Sequence, residues 1–434
     1  MLVKLRLKSM HKKIIANSFF LLLDRGLRLV VSFAVGIWVA RFYGPEQFGQ
    51  LNYVLATASL FGSLSSLGFD DIVPRDMAAL DHGDITRAEM QKTALLLRLL
   101  GGLLAFGLVL LLIYRESGIT QIFWIALVLA PYLPIQATDI YEYRLRVEDQ
   151  FSKIAFSRSF GSLAANTLKC LVIFLGLPIP FLAAAMTSEY AITASAFQFF
   201  IHSKAYIKGV FRLAYAKELI KRSWKIILAG IIIMCQARVE YFLVEKFLGW
   251  DSLGQYSAAL KIFEIIDIVC ITLVTVLMPQ IAAKVSTDNI DKYRRITYLS
   301  GLGVYILLVP VMILLAIVFP YAYGVQYAPA ASLVPWLFLR PFFGMINSIR
   351  GMFNILQGNY WYPAIASIVG LITSLIAGYT LIPIYGLFGA VATTLCGLFA
   401  LTIGADFIFN RKNLFAFFTC YREFRYFANL YKSK

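Results

Sequence analysis

The 434 residues are 60% hydrophobic with a mean hydropathy of +0.74, too much apolar surface for a water-soluble core. The apolar residues fall in repeated runs of about 20, the length that crosses a bilayer as a helix. A formal net charge of +16 would suggest nucleic acid in a soluble protein, but here it is what cytoplasmic loops obeying the positive-inside rule produce, so membrane lipids and not nucleic acid are the expected partner.

The runs predict an all-α polytopic membrane protein with about twelve transmembrane helices, near 14–40, 50–73, 93–114, 119–140, 152–176, 179–202, 224–248, 254–279, 297–319, 331–356, 360–382 and 386–409. Basic residues precede the first run, but Asp24, Arg25 and Arg28 lie inside it and no small-residue cleavage site follows. It is therefore expected to be a retained span and not a cleaved signal. Immediately after it comes Arg41-Phe42-Tyr43-Gly44-Pro45-Glu46-Gln47-Phe48-Gly49-Gln50, which returns 205 positions later as Lys246-Phe247-Leu248-Gly249-Trp250-Asp251-Ser252-Leu253-Gly254-Gln255. The same offset maps Leu55 onto Leu260, Pro74 onto Pro279 and Ala78 onto Ala283. This is an internal duplication in which Gly44 or Gly249 stops one helix and Pro45-Glu46 or Asp251 opens the next.

Two six-helix lobes follow, at 1–202 and 224–409, joined by a basic linker at 203–223 and followed by a basic tail at 410–434. Because six spans separate equivalent points, both lobes enter the membrane in the same direction, giving a pseudo-twofold axis along the membrane normal and a cavity between lobes. With the N-terminus cytoplasmic, 28 of the 40 Lys and Arg fall on the cytoplasmic side, counting Lys153 and Lys225 at span ends. Only Arg41, Arg115 and Lys246 fall opposite, which predicts both termini and the 203–223 linker in the cytoplasm. The cysteines Cys170, Cys235, Cys270, Cys396 and Cys420 lie in or beside apolar runs without metal-ligand spacing. They are read as packing residues, with no disulfide, metal or cofactor expected.

Nine bases remain inside the spans. Each is costly at membrane depth and is expected to face a wet interior or a counter-charge. Asn17, Asp24, Arg25, Arg28, Ser32 and Gly36 form one polar stripe in the first span, with Asp24 and Arg28 spaced as a pair. Arg158, Ser162, Asn166 and Lys169 form another, and Arg340, Asn347, Arg350 and Asn354 a third, neither containing an acid. Gln236, Arg238 and Glu240, with Lys261, Glu264 and Asp267, make a more nearly self-neutralising set. Arg98, near a span end, is expected to snorkel. The clearly intramembrane acids are Asp24, Glu189, Glu240, Glu264 and Asp267. Arg25, Arg28, Arg158, Lys169, Arg238 and Arg340 are therefore expected to line an anion-binding cavity suited to a pyrophosphate, which the planar Arg fork grips with two hydrogen bonds. Glu189, Glu240, Glu264 and Asp267 are the candidates for ion coupling, and structural ion pairing is the competing expectation for both sets.

These residues resemble the polysaccharide-biosynthesis transporters, the Wzx-type O-antigen flippases of the superfamily that also holds multidrug extruders and the lipid II flippase. The matching stretches are Asn17-Ser18, Ala40 to Gly49, Leu67-Gly68 with Arg75-Asp76-Met77-Ala78, Gly324 to Ala330 and Ile382 to Ala390. The resemblance implies a two-lobed fold like that of the multidrug extruders. It implies transport of an undecaprenyl-pyrophosphate-linked oligosaccharide to the periplasmic leaflet of the bacterial inner membrane by alternating access, coupled to H+ or Na+, with other polysaccharide-assembly proteins as partners. In that family basic residues in the central cavity hold the pyrophosphate, and Arg25, Arg28 and Arg238 match by position and type. A multidrug antiporter of the same fold would want an acidic or apolar cavity. A membrane glycan polymerase or ligase would need a large loop outside the cytoplasm and clustered catalytic groups, neither of which the sequence shows, so no enzyme is expected.

Overall fold

The computed structural model describes residues 2–79, 85–201, 209–282 and 289–424. Side chains are described for 26, 28–79, 87–201, 209–264, 266–267, 269, 272, 281 and 289–424. Among the described residues every regular element is a helix. The chain divides into two compact units, one of Met1–Phe42 with Thr57–Ile227, the other of Tyr43–Ala56 with Leu228–Lys434. This division falls after Ile227, and residues 213–223, part of the segment read as a linker, are helical. Residues 203–208 of that linker and 425–434 of the tail lie outside the described residues.

The first unit begins with α1 (Leu2–Leu60), whose continuation after Phe42 belongs to the second unit until Ala56. It continues through α2 (Gly62–Ser66), α3 (Phe69–Ala78), α4 (Ile85–Ser117), α5 (Gln121–Leu129), α6 (Tyr132–Ile135), α7 (Asp139–Val147), α8 (Phe151–Phe174), α9 (Ile179–Phe200) and the start of α10 (Leu213–Ala282). The predicted second span is broken, because Leu67 and Gly68 both adopt positive φ, 53° and 64°, and turn the chain into α3. The predicted fourth span is also irregular: Pro131 and Pro134 remove backbone donors, and α5, α6, a 3-10 turn at Gln136–Thr138 and α7 follow one another in short pieces. Buried Phe69, Val73, Met77, Ala94, Ile140, Tyr143 and Leu219 make one apolar core of this unit. The α8–α9 pair packs closely at Gly161, where an added Cβ would collide with the Thr193 hydroxyl.

The second unit takes the rest of α10, α11 (Ile290–Tyr323), α12 (Ala328–Leu333), α13 (Leu339–Leu356), α14 (Tyr362–Phe399), a π-helical turn at Ala400–Gly404, α15 (Ala405–Phe409) and α16 (Arg411–Phe418). It also takes the second part of α1, opened by Pro45 after Gly44. Gly44 (φ 76°, ψ 171°) and Gly249 (φ 80°, ψ −177°) break α1 and α10 at the duplicated motif, in a backbone region that other residues avoid. The two copies then meet each other reciprocally. A Cβ on Gly49 would collide with the carbonyl of Trp250, and one on Gly254 with the carbonyl of Pro45. Gly49 and Gly254 are equivalent positions of the repeat, as are Pro45 and Trp250. Such self-complementary contact is what a local two-fold relation between copies produces, and it lets the two backbones approach as small residues do in membrane helix pairs. Gln255, the last residue of the motif, reaches the late turn: its Nε2 donates to the Gln326 carbonyl at 2.8 Å, and its Oε1 accepts from Ala330 N–H at 3.2 Å.

Five described segments are long and apolar enough to cross a membrane: Arg87–Ser117, Gln121–Val147, Leu213–Glu264, Ile290–Tyr323 and Tyr362–Phe409. Val325–Leu333 with Trp336–Leu356, bent by 53°, makes a sixth if taken as one broken span. Leu213–Glu264 and Tyr362–Phe409 run 52 and 48 residues and contain the breaks at Gly249 and Gly386. Each is too long for a single crossing, since about 20 residues suffice. Large apolar side chains such as Leu100, Leu104, Phe174, Ile306 and Leu307 are more than half exposed, the arrangement of a surface that faces lipid.

Candidate functional site

The polar stripe of α8 turns one face of the helix toward α7 and α9, because positions 158, 162, 166 and 169 recur at helical spacing. Arg158 sits at the α7 end. Its guanidinium donates to Glu142 through Nη2 and, at 2.7 Å, through Nε, and its Nη2 lies 3.7 Å from Asp139 Oδ1. Glu142, itself buried, also accepts from Arg146 at 2.6 Å. Further along the stripe, Lys169 Nζ lies 3.8 Å from Glu189 Oε2 and 3.4 Å from Asn166 Oδ1, while Asn166 donates to Ser32 Oγ at 3.1 Å. Arg28, Gln136, Thr138, Asp139, Arg158, Glu189 and Tyr190 line a cavity of about 110 Å³. Three expected site residues, Arg28, Arg158 and Glu189, therefore border one space, and a fourth, Lys169, is held by one of them.

One expectation is corrected here. Arg98 does not snorkel: it is 1% exposed, donates to the Tyr143 hydroxyl, and lies 3.5 Å from Asp70 and 3.6 Å from Asp139, while Tyr143 donates onward to Asp70. The α8 cations meet the counter-charge that is one of the two expectations for them, since Glu142, Asp139 and Glu189 supply the acids that their own helix lacks.

The second unit gathers the remaining candidates. Arg238 of α10 lies 3.6 Å from Glu264 and places its guanidinium 5.3 Å from the centre of the Tyr241 ring. Arg340, at the start of α13, lies 2.8 Å from Asp267. Gly344, one turn on, leaves room for that carboxylate, since a Cβ there would stand 3.0 Å from Asp267 Oδ1. Glu240 is 4% exposed on the same stretch of α10 as Arg238. Arg350, read as part of a stripe without acid, is 1% exposed and lies 3.6 Å from Asp406, and it also donates to the Leu401 and Thr402 carbonyls in the π-helical turn. The stripe carries no acid of its own, and its counter-charges Asp267 and Asp406 come from other helices.

The side chains of Asn17, Asp24 and Arg25 lie outside the described residues, and with them the expected Asp24–Arg28 pair. The residues that sequence reading missed are Asp139, Glu142, Tyr143, Asp70 and Asp406. The i,i+4 spacing of Glu142 and Arg146 was the one visible signal for them. Among the described residues no group of three or more His, Cys, Asp or Glu is placed to hold a metal ion.

Comparison with known proteins adds the family. The chain resembles an inward-facing multidrug resistance MATE family transporter of the MOP superfamily, with 14% identity, a TM-score of 0.66 and coverage of 90% of this chain and 96% of that one. It resembles the lipid II flippase MurJ in an inward closed conformation at 14% identity and TM-score 0.66, over 93% and 90% of the two chains. It resembles a MOP superfamily transporter from Pyrococcus furiosus at 17% identity and TM-score 0.64, over 93% and 96%. At such identities the likeness shows the fold alone. No curated protein sequence matches the chain. Residues 14–285 match the model of the polysaccharide biosynthesis protein family, and the chain belongs to that family.

Proposed function

We propose that the protein is a flippase that moves an undecaprenyl-pyrophosphate-linked oligosaccharide, such as an O-antigen repeat unit, from the cytoplasmic to the periplasmic leaflet of the inner membrane. The observation that carries the reading is a cavity bordered by Arg28 and Arg158 in a member of the polysaccharide biosynthesis family. Lysine and arginine at membrane depth are costly without a role, and guanidinium forks suit a pyrophosphate. The proposed arrangement is of about twelve spans in two lobes with both termini cytoplasmic and a basic cytoplasmic segment around 203–223.

In this mechanism the carboxylates act as stand-ins for the substrate. Glu142 and Asp139 satisfy Arg158 while the cavity is empty, and the pyrophosphate takes over the same N–H groups on loading. Glu189, on Lys169, and Glu240, Glu264 and Asp267 are the proposed ion-coupling groups, binding H+ or Na+ in one access state and releasing it in the other. Arg25 and Arg28 from α1, Lys169, Arg238 and Arg340 are proposed as further pyrophosphate contacts along the path.

A multidrug antiporter is the second reading, favoured by the acids Asp139 and Glu189 that share the cavity wall with the cations. Transport assays in proteoliposomes separate the two. A lipid-pyrophosphate glycan flips under the first reading, whereas under the second a lipophilic cation is exchanged and the glycan stays in its leaflet.

A further inference from the structure

The α8–α9 pair has two differently lined sides. Toward the polar cavity it presents Arg158, Glu189, Tyr190 and Thr193. On another side, Phe156 and Phe160 of α8, with Ile192, Ala196, Phe199 and Phe200 of α9, line an apolar groove of about 600 Å³. The rings forming its wall are packed on each other: Phe156 and Phe160 stack 6.0 Å apart with planes 5° from parallel, and Phe156 meets Phe200 edge-on at 5.9 Å. Phe156, Phe160 and Phe199 are nonetheless 57%, 52% and 71% exposed. One turn before Phe156, Lys153 holds its ammonium 5.5 Å from the Phe200 ring, placing a cation at one end of the groove.

We infer that this groove binds the polyisoprenoid chain of the lipid-linked substrate, an inference that rests on the flippase reading above. The occupant must combine a long apolar chain with an anionic head. The groove supplies aromatic walls for the chain, Lys153 supplies a charge at its end, and Arg158, five residues further on, faces the cavity that receives the head. Transfer from water contributes nothing to choosing groove over bilayer, since lipid is equally apolar; the selection comes from packing, and methyl-branched, unsaturated isoprene units pack against ring faces and edges. A chain held there keeps the headgroup near Lys153 and Arg158, five residues apart on α8, while the saccharide crosses.

The test uses the full-length protein in lipid nanodiscs with inorganic pyrophosphate, farnesyl pyrophosphate and undecaprenyl pyrophosphate as probes. The wild-type protein binds the undecaprenyl compound about tenfold more tightly than the farnesyl one, the factor that one or two aromatic contacts supply. Ala196→Trp, which fills the groove, and the double variant Phe156→Ala/Phe160→Ala, which removes its wall, both lose that chain-length preference and bind inorganic pyrophosphate as the wild type does. Preference retained in either monodisperse variant overturns the groove assignment, as does equal competition by phosphatidylglycerol, which assigns the groove to bulk lipid. A wild-type protein that binds neither pyrophosphate nor its prenyl esters overturns the flippase reading itself, an outcome distinct from loss of the groove alone.

Discussion

Arg158 holds its guanidinium against Glu142 and Asp139, and a pyrophosphate entering the cavity has to compete with those carboxylates for the same N–H groups. Hydrogen bonds to charged groups contribute about 1.5 to 3 kcal/mol each, so Arg158→Ala is expected to weaken binding of a lipid pyrophosphate by about ten- to a hundredfold. Arg158→Lys recovers only part of that loss, because it keeps the charge without the planar fork. Glu142→Gln removes the competitor and binds at least as tightly as the wild type. Titration of the three purified variants checks this order, and wild-type affinity in Arg158→Ala would return that arginine to a purely structural ion pair. The Lys169–Glu189 contact makes a separate prediction. Glu189→Gln is expected to abolish gradient-driven accumulation while leaving substrate binding in place, measured as uptake with and without an imposed gradient. Normal accumulation in Glu189→Gln and in the corresponding variants of Glu240, Glu264 and Asp267 would remove coupling from all four.

The reciprocal crossing of the motif copies gives the helices their own prediction. Leucine at Gly49 or Gly254 would drive a side chain into the backbone of the other copy, and overpacking of this kind costs about 1–3 kcal/mol or more. Gly249→Ala costs about 1–3 kcal/mol by a different route, the strained positive-φ backbone. Gly303→Ala, at a helical glycine with open space around it, is the control expected to leave thermal stability unchanged. A thermal-shift assay on the four variants reads the difference, and leucine at Gly49 tolerated as well as alanine at Gly303 would contradict the close crossing. Helix breaks at Gly44 and Gly249 were legible in the sequence because glycine and proline act locally, and the break at Gly386 lies where the last predicted span begins. The counter-charges were not: Asp139 and Glu142 lie on the irregular α5–α7 run, and Asp267 and Asp406 reach Arg340 and Arg350 from helices distant in sequence. Helical spacing within one stripe cannot reveal a partner on another helix. The same limit explains Arg98, which a span-end position placed at the interface and which Tyr143, Asp70 and Asp139 hold inside.

For the molecule as a whole, the apolar helices and the family describe a multi-pass membrane protein, and the basic count is the ground for the proposed placement of both termini in the cytoplasm. Ser117→Cys and Ser252→Cys are expected to react with an impermeant thiol reagent applied to intact cells, and Ser203→Cys is not; labelling at position 203 would reverse the proposed topology. The proposed movement of an anionic lipid-linked glycan draws on the family and on the cations of α8. The most direct test reconstitutes the wild-type protein and the Arg28→Ala/Arg158→Ala variant in proteoliposomes and follows a fluorescent undecaprenyl-pyrophosphate oligosaccharide from one leaflet to the other. The account predicts gradient-dependent flipping by the wild type and loss of flipping by a folded variant. Equal flipping by both, or exchange of a lipophilic cation with no movement of the glycan, would contradict it.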